Sequence, residues 1–393
     1  GLFAQKVIDL FEKYDDRRRY SEYALALTIQ AKALTARIGS DPELAPQLRQ
    51  CCELLRQCLI AKQQSFTTSG QTGLYVGYAP SPFGFATQLK PINQLLAAAE
   101  ALADEEAIAQ VGSMVVQHQM ADVQKTILYG GRSYVQEQLD DFVATATRVA
   151  AITRRDSLAA MAYDASIYCK GALLRSDQLV EQQVLTSRNQ TAIELYRELQ
   201  HTRQLMDEVR QNGLDADSLQ QRASTLGDRM MDYARSFGDY TRALTASWQD
   251  IRRQLRTDDA AIEFTSYTHH DTVYYCALVL RHDRAMPQLI PLCTEVQLAT
   301  ATDVHQLANA YTYVWAPMAS ALRGVSNIYF SPSGLLHQIP VEYAPTPQGL
   351  LSDSYHVYRL SNTRELLLSH QRTQQPKSLL IGGVVYDPDM RSE

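Results

Sequence analysis

The stretch AAIEFTSYTHHDTVYYCALVL, Ala260 to Leu280, marks the point at which the sequence changes in character. Two runs rich in β-branched and aromatic residues, Ala260 to Phe264 and Val273 to Leu280, flank a polar segment from Tyr267 to Thr272. Such runs are typical of β-strands, and a short polar segment between them suits the turn of a hairpin. The sequence therefore predicts a β-hairpin that begins a new domain, with the boundary at Leu255 to Asp259.

Downstream of this hairpin, strand-like runs alternate with helical patterns. Further strands are predicted at Pro287 to Cys293, Asn327 to Phe330, His356 to Leu360 and Ser378 to Val385, and helices at Asp303 to Leu322 and Thr363 to Gln371. Strands that alternate with helices are typical of an α/β domain with a partly parallel sheet. We therefore predict that residues 256–393 belong to such a domain.

Upstream of the hairpin, apolar residues recur at helical spacing almost throughout. The first two predicted helices, Tyr20 to Ile38 and Leu44 to Lys62, are separated by Gly39-Ser40-Asp41-Pro42, a helix stop followed by a new start. The alanines of YALALTIQAKAL resemble those of a degenerate tetratricopeptide hairpin, although a 34-residue period does not recur along the chain. An irregular array of helix pairs is therefore predicted.

We divide this helical part into tetratricopeptide-like helices at residues 1–64, an irregular loop at 65–90 and a helical domain at 91–255. Within the loop, the segment from Ser65 to Phe85 is rich in glycine, proline and aromatic residues. A loop of this length is either mobile or a partner-binding element. An ordered surface excursion that packs its own aromatic residues is an equal alternative.

The composition is that of an ordinary soluble protein, with 45% hydrophobic and 20% charged residues. With a net charge of -6, the chain lacks the basic character that is typical of nucleic-acid-binding proteins. No nucleic-acid partner is therefore expected. The six cysteines form no C-x-x-C pair, which favours small core residues in a reducing compartment. Because no run of 18 apolar residues occurs, we expect a cytoplasmic protein without membrane association.

The turn Ser331-Pro332-Ser333-Gly334, followed by His337, has the residue types of a serine hydrolase. A nucleophile elbow, however, needs G-x-S-x-G between a strand and a helix, and here Phe330 and Pro332 flank the first serine. Ser-Pro-Ser-Gly is instead typical of a β-turn between two strands. We therefore assign structural roles to Ser331, Ser333 and His337.

One other local cluster has metal-ligand character, His269-His270-Asp271. Adjacent residues on a hairpin point to opposite faces and do not readily share an ion, so a solvated turn is predicted and no metal site. The chain also lacks G-x-x-x-x-G-K, the phosphate cradle of nucleotide-binding proteins. No cofactor is expected.

Several short segments occur in an order that resembles a known family. The segments are YDASIYCKGALLRSDQ at Tyr163 to Gln178, SWQDIRRQL at Ser247 to Leu255, AIEF at Ala261 to Phe264, YYCALVLR at Tyr274 to Arg281, WAPM at Trp315 to Met318, IYFSPSGLLHQIPVEY at Ile328 to Tyr343, YRLSNTREL at Tyr358 to Leu366 and LLIGGVVYDPD at Leu379 to Asp389. Together they resemble the first half of a CHAT domain of the Bacteroides type, a caspase-like cysteine peptidase module that is joined to tetratricopeptide-type helices.

This resemblance implies cleavage of protein substrates by a histidine and cysteine dyad. In the family the histidine belongs to a His-Gly pair and the cysteine to a Ser-Ala-Cys motif. None of the nine histidines here precedes glycine, and none of the six cysteines follows Ser-Ala. We therefore expect the dyad beyond Glu393, in a C-terminal catalytic remainder of the same protein that is its physical partner. The chain itself would be the regulatory and scaffold portion, whose helices bind a protein substrate or activator.

The resemblance also places part of the cleft rim in this chain. If Leu379 to Ile381 forms the first catalytic strand, four residues lie beside the cleft, namely Gly382, Gly383, Tyr386 and Asp387. Asp387 would then attract a basic substrate side chain, although an ordinary turn at Asp387-Pro388 is the more common reading of that pair.

Self-cleavage near Arg391, in the region of Asp389, Met390 and Arg391, is the first hypothesis for where this chain ends, and a disordered loop or a shortened chain is the alternative. The family includes proteases of bacterial defence. The alternative is a non-catalytic protein-binding scaffold with a pseudo-caspase domain.

Overall fold

The computed structural model describes residues 21–68, 86–129, 132–172, 181, 184, 189–235 and 246–367. A helical part comes first and a mixed five-stranded sheet follows it, so the predicted order of an α and then an α/β region is confirmed. Helix α9 ends at Gln254 and strand β1 begins at Asp259, at the predicted boundary. The helices before the sheet are α1 Ser21–Thr35, α2 Ala45–Thr68, α3 Ala86–Ala101, α4 Glu105–Tyr129, α5 Arg132–Thr153, α6 Asp156–Cys169, α7 Gln190–Gln211, α8 Asp217–Arg235 and α9 Trp248–Gln254.

The helices pack mainly on their neighbours in sequence, as in an array of hairpins. Helices α1 and α2 match the first predicted pair, with a short turn at Pro42–Leu44 between them. The predicted loop at 65–90 is too long, because α2 continues to Thr68 and α3 begins at Ala86. Residues 69–85 lie outside the described part of the chain. Pro91 lies inside α3, where it costs one intrahelical hydrogen bond.

The sheet has the strand order β3-β2-β1-β4-β7. Strands β1, β2 and β3 are antiparallel, whereas β1, β4 and β7 run parallel to one another. The strands are β1 Asp259–His269, β2 Thr272–Arg281, β3 Gln288–Thr294, β4 Asn327–Ser331 and β7 His356–Arg359, and a separate small hairpin is formed by β5 Pro345–Thr346 and β6 Gly349–Leu350.

The predicted hairpin is confirmed, and its turn is the shortest that two strands allow. His269 pairs with Thr272, so His270 and Asp271 alone connect the strands. Both have positive φ, 47° and 59°, as a type I′ turn requires. This turn matches the right-handed twist of the strands, which explains why β1 and β2 continue further than predicted.

The two faces of the sheet enter different hydrophobic clusters because side chains alternate along each strand. Ala261 and Leu280 join the cluster of the helical array, to which α1 to α6 also contribute. Ile262, Phe264 and Phe330 face a second cluster on the other side. The sheet therefore lies between two helical layers, and the helical array shares one continuous core with it.

The second layer consists of short helical pieces, whereas one helix was predicted from Asp303 to Leu322. The pieces are α10 Glu295–Ala299, α11 Ala308–Ala310, α12 Leu351–Ser354, a π-helical turn at Tyr311–Trp315 and 3-10 turns at Thr300–Thr302, Val304–Gln306 and Ala316–Met318. Pro317 has no amide hydrogen to donate, which weakens a regular helix at this position. Trp315 is nevertheless fixed, since its indole nitrogen donates to the Val341 carbonyl over 2.8 Å.

The predicted second strand after Ser331-Pro332-Ser333-Gly334 is absent, and a 3-10 turn occupies Gly334–His337 instead. Gly334 has a φ of 53°, and the amide of Leu335 donates to the hydroxyl of Tyr275 over 2.9 Å. These contacts hold the chain close to β2 in a turn, so it does not continue as a strand. A further 3-10 turn at Thr363–Leu367 forms the described part of the helix predicted from Thr363. None of the described helices is long and apolar enough to cross a bilayer.

Candidate functional site

The cleft-rim and self-cleavage candidates lie outside the described residues, as does the predicted strand Ser378 to Val385. They are Gly382, Gly383, Tyr386, Asp387, Asp389, Met390 and Arg391. Their predicted roles stay predictions. The described chain instead contains a polar site that the sequence did not reveal.

This site lies where β4 ends beside the middle of β1, against the C-terminal end of helix α6, and Lys170 and Glu263 are at its centre. The ammonium of Lys170 contacts a carboxylate oxygen of Glu263 at 2.7 Å and the hydroxyl oxygen of Ser331 at 2.9 Å. It also donates to the carbonyls of Phe264 and Ser331, each at 3.1 Å. The Glu263 side chain is fully buried, whereas 17% of the Lys170 side chain is exposed.

Three further donors surround the carboxylate of Glu263. The hydroxyl of Ser166 donates to Oε2 over 3.0 Å. The backbone amide and the hydroxyl of Thr363 donate to Oε1 over 2.8 Å and 2.7 Å. The hydroxyl of Tyr163 lies 2.9 Å from that of Thr363 and extends the network into α6. Each oxygen of the buried carboxylate therefore has two donors.

The segment after β7 is fixed by the same network. Asn362 donates its side-chain amide to the carbonyls of Ile167 at 2.7 Å and Lys170 at 3.0 Å. The hydroxyl of Ser331 donates to the carbonyl of Ser361 over 2.9 Å. Side chains on α6, β1 and β4 thus hold the chain that leaves the last described strand of the sheet.

Local periodicity explains how these residues meet. Tyr163, Ser166 and Lys170 are spaced three and four residues apart, which places them on one face of α6 and its C-terminal end. Glu263 alternates with Ile262 and Phe264, so it lies on the side of β1 that the helical array covers. This position normally takes an apolar residue. A carboxylate there was the one available signal in the sequence, and it requires a buried cation as partner.

The chemistry of the network fits a structural role, in which it connects neighbouring segments. Burial lowers the pKa of Lys170, and Glu263 opposes that shift. The nitrogen of Lys170 nevertheless faces four acceptor oxygens. This arrangement requires the ammonium form, which can donate three hydrogen bonds. Lys170 is therefore not a general base for Ser331, although the two side chains are within hydrogen-bonding distance. Ser331 is fully buried and its hydroxyl donates to the carbonyl of Ser361, so it serves here to hold the neighbouring segment.

Four of the six cysteines have thiols whose pKa is shifted away from activation. All six lie within the described residues and none forms a disulfide. Burial raises the pKa of Cys51 and Cys276 to about 12 and that of Cys52 and Cys293 to about 11. A nucleophilic cysteine needs the opposite shift, toward the thiolate. These four thiols are therefore unsuited to attack a peptide bond.

The histidine candidates also have structural positions. His270 and Asp271 form the exposed hairpin turn, as predicted. No group of three or more potential metal ligands occurs in the part of the chain that the structure describes. His337 is exposed, and its pKa is lowered first by partial burial and then by the charges of Lys170 and Arg359. It belongs to the 3-10 turn after β4 and not to a strand.

No protein-family model matches this chain, and no curated protein matches its sequence.

Proposed function

We propose that this chain is the N-terminal regulatory and scaffold portion of a CHAT-type, caspase-like cysteine endopeptidase. The observation that carries the proposal is the network around Lys170 and Glu263. Separate segments that resemble the family meet there: Tyr163 and Lys170 from the upstream helix, Glu263 from the first strand, Ser331 from the turn and Thr363 from the segment after β7. Because these segments form one buried contact together, we interpret them as parts of a single structural unit.

A catalytic thiol would come from the remainder of the protein. None of the four cysteines whose pKa is raised by burial is activated. Neither His-Gly nor Ser-Ala-Cys occurs in the sequence. The dyad is therefore proposed to lie beyond Glu393, and the C-terminal remainder would be the physical partner of this chain.

The edge of the sheet at β7 offers a place for that partner. The amides of His356 and Leu360 donate toward β4, so the alternate amides of Val357 and Arg359 point to the other side. Among the described strands β7 pairs only with β4, and such an edge accepts a further strand. We propose that the catalytic half extends the sheet here, with Gly382, Gly383, Tyr386 and Asp387 near the cleft.

The tetratricopeptide-like array would bind a protein activator or substrate. Helices α2, α3 and α4 border an open groove of about 500 Å³ with an apolar floor that includes Leu95, Ala99 and Val111. Charged side chains of both signs form its rim, among them Arg49 and Asp104. An apolar floor with a charged rim suits a segment of another protein, and a role in bacterial defence belongs to the same proposal.

A non-catalytic scaffold is the second candidate. The fully bonded, buried state of the network favours it, because nothing in the described residues is poised for reaction. In that case the caspase-like region would serve only to present the helical array.

Protein cleavage by the full-length protein separates the two candidates. An unfolded protein substrate is incubated with the enzyme, with and without prior alkylation by iodoacetamide, and the products are identified by mass spectrometry. We expect cleavage that alkylation abolishes. Absence of cleavage, or cleavage that survives alkylation, contradicts the cysteine endopeptidase.

Self-processing needs a separate measurement. The intact mass of the full-length protein is compared with that of a variant that lacks its dyad cysteine. We expect a cut near Arg391 in the first protein only, and the same cut in both would exclude self-cleavage.

A further inference from the structure

Helices α7 and α8 form a hairpin whose hydrophobic core is separate from that of the remaining helices. Its core contains Leu195, Leu199, Met206, Ala223 and Leu226. None of these residues belongs to the large cluster shared by α1 to α6 and the sheet. The hairpin therefore has the means to stay folded without burying apolar surface against the rest of the array.

Polar bonds also hold the two helices of the hairpin to each other. Arg222 on α8 pairs with Glu198 on α7 at 2.8 Å. Arg210 on α7 donates to the side chain of Gln220 on α8 over 3.2 Å. These bonds and the separate core make the hairpin one unit.

A polar contact joins this hairpin to the array where α4 ends and α5 begins. Arg203 is buried and donates to the carbonyl of Ile127 over 2.9 Å. Asp207 accepts the amides of Arg132 at 3.0 Å and Ser133 at 3.3 Å, and the hydroxyl of Ser133 at 2.7 Å. We call this set of contacts the clasp.

The charges of the clasp match the helix ends that they contact. The C-terminal end of a helix carries partial negative charge on its unpaired carbonyls, and the N-terminal end carries partial positive charge on its unpaired amides. Arg203 is the cation at the end of α4, and Asp207 is the anion at the start of α5. The two are four residues apart and lie on one face of α7. Arg210 continues that face and lies 4.6 Å above the ring of Tyr134.

We propose that the clasp holds the α7–α8 hairpin against the end of α4 and the start of α5. The hairpin can separate from these helix ends as one folded unit. Release breaks a small number of charge-assisted bonds and leaves the hairpin core intact. Because the bonds of Asp207 are exposed to solvent, they exchange readily for bonds to water, unlike an apolar contact of similar size. The hairpin is thus the part of the helical array that changes position, whether or not the chain serves a protease.

Hydrogen exchange on residues 1–393, followed by mass spectrometry, tests this proposal. Asp207→Ala removes the acceptor for three donors, and we expect exchange in the last turn of α4 and the first turn of α5, which the hairpin contacts, to rise about 10-fold. Exchange in α7, α8, β1 and β4 should change less than about 2-fold, because the released hairpin keeps its own core. Glu208→Gln is the matched control, since it removes the next carboxylate on α7 and leaves the clasp in place.

Two outcomes would overturn the proposal. An equal rise across α7, α8 and the sheet would mean that the hairpin opens only with the whole chain. No rise in the last turn of α4 and the first turn of α5 would mean that the clasp does not hold the hairpin there. If Asp207→Ala fails to fold, Asp207→Asn, which keeps an acceptor oxygen but loses the charge, gives the same comparison with a smaller expected rise.

Discussion

Replacing Lys170 should destabilise the chain more than replacing any surface lysine. In Lys170→Met, the carboxylate of Glu263 stays fully buried and loses the ammonium that is bonded to it. Breaking a buried ion pair from one side costs about 3–5 kcal/mol. Ser166 and Thr363 still donate to the carboxylate, and 17% of the Lys170 side chain is already exposed, so we expect the lower end, about 3 kcal/mol.

A double-variant cycle separates this interaction from general damage. Glu263→Gln removes the anion and keeps much of its shape, and the double variant removes both charges together. Because neither charge is then left buried alone, the double variant should be more stable than the sum of the single losses predicts, by about 2 kcal/mol. Lys32→Met on the exposed face of α1 is the control and should change stability by less than about 0.5 kcal/mol.

Urea unfolding monitored by tryptophan fluorescence is the assay. The chain has two tryptophans, and Trp248 lies in the core shared by the helices and the sheet. A Trp315→Phe background lets Trp248 report on that junction alone. A loss below about 1 kcal/mol in Lys170→Met, or single losses that simply add in the double variant, would refute the reasoning.

Two further predictions concern the same region. Gly334→Ala should cost about 3 kcal/mol, because its φ of 53° is strained for alanine and its new Cβ would lie 2.2 Å from the Tyr275 hydroxyl oxygen. Gly324→Ala, with a φ of 78° and no atom within 4 Å, should cost only about 1–2 kcal/mol, and equal losses in thermal unfolding would contradict the clash. Burial raises the pKa of Asp164 to about 6, although the Trp248 amide opposes the shift. The folded chain therefore holds more protons than the unfolded chain, whose aspartate pKa is about 3.9, and stability should fall as pH rises from about 4 to about 6. Asp164→Asn, which keeps an acceptor for that amide, should remove this part of the pH profile, and an unchanged profile would contradict it.

The sequence predicted the features that local pattern determines. The β1–β2 hairpin and the boundary before Asp259 follow from β-branched and aromatic runs beside a polar turn, and each needs only a few neighbouring residues. The short helical pieces around Trp315 were not predicted, because their interruption depends on contacts with distant segments, such as the bond from Trp315 to Val341. Likewise, the contact of Leu335 with Tyr275 replaces the expected strand after Ser331.

The polar network could not be found from local pattern. Lys170 and Glu263 are far apart in sequence, and a lysine after a helix or a single glutamate in a strand has little meaning alone. Only the alternation that turns Glu263 toward a covered face of the sheet indicated a buried charge. The identity of its partner follows from the packing of α6 on the sheet, which local periodicity does not specify.

The location of the reactive cysteine in the full-length protein tests the central claim most directly. The protein is treated with an electrophilic peptide probe that labels active cysteine peptidases, and the labelled residue is identified by mass spectrometry. The account predicts one labelled cysteine beyond Glu393 and no label on the six cysteines within residues 1–393. A label on Cys52 or any other of the six, or no label at all, would contradict it.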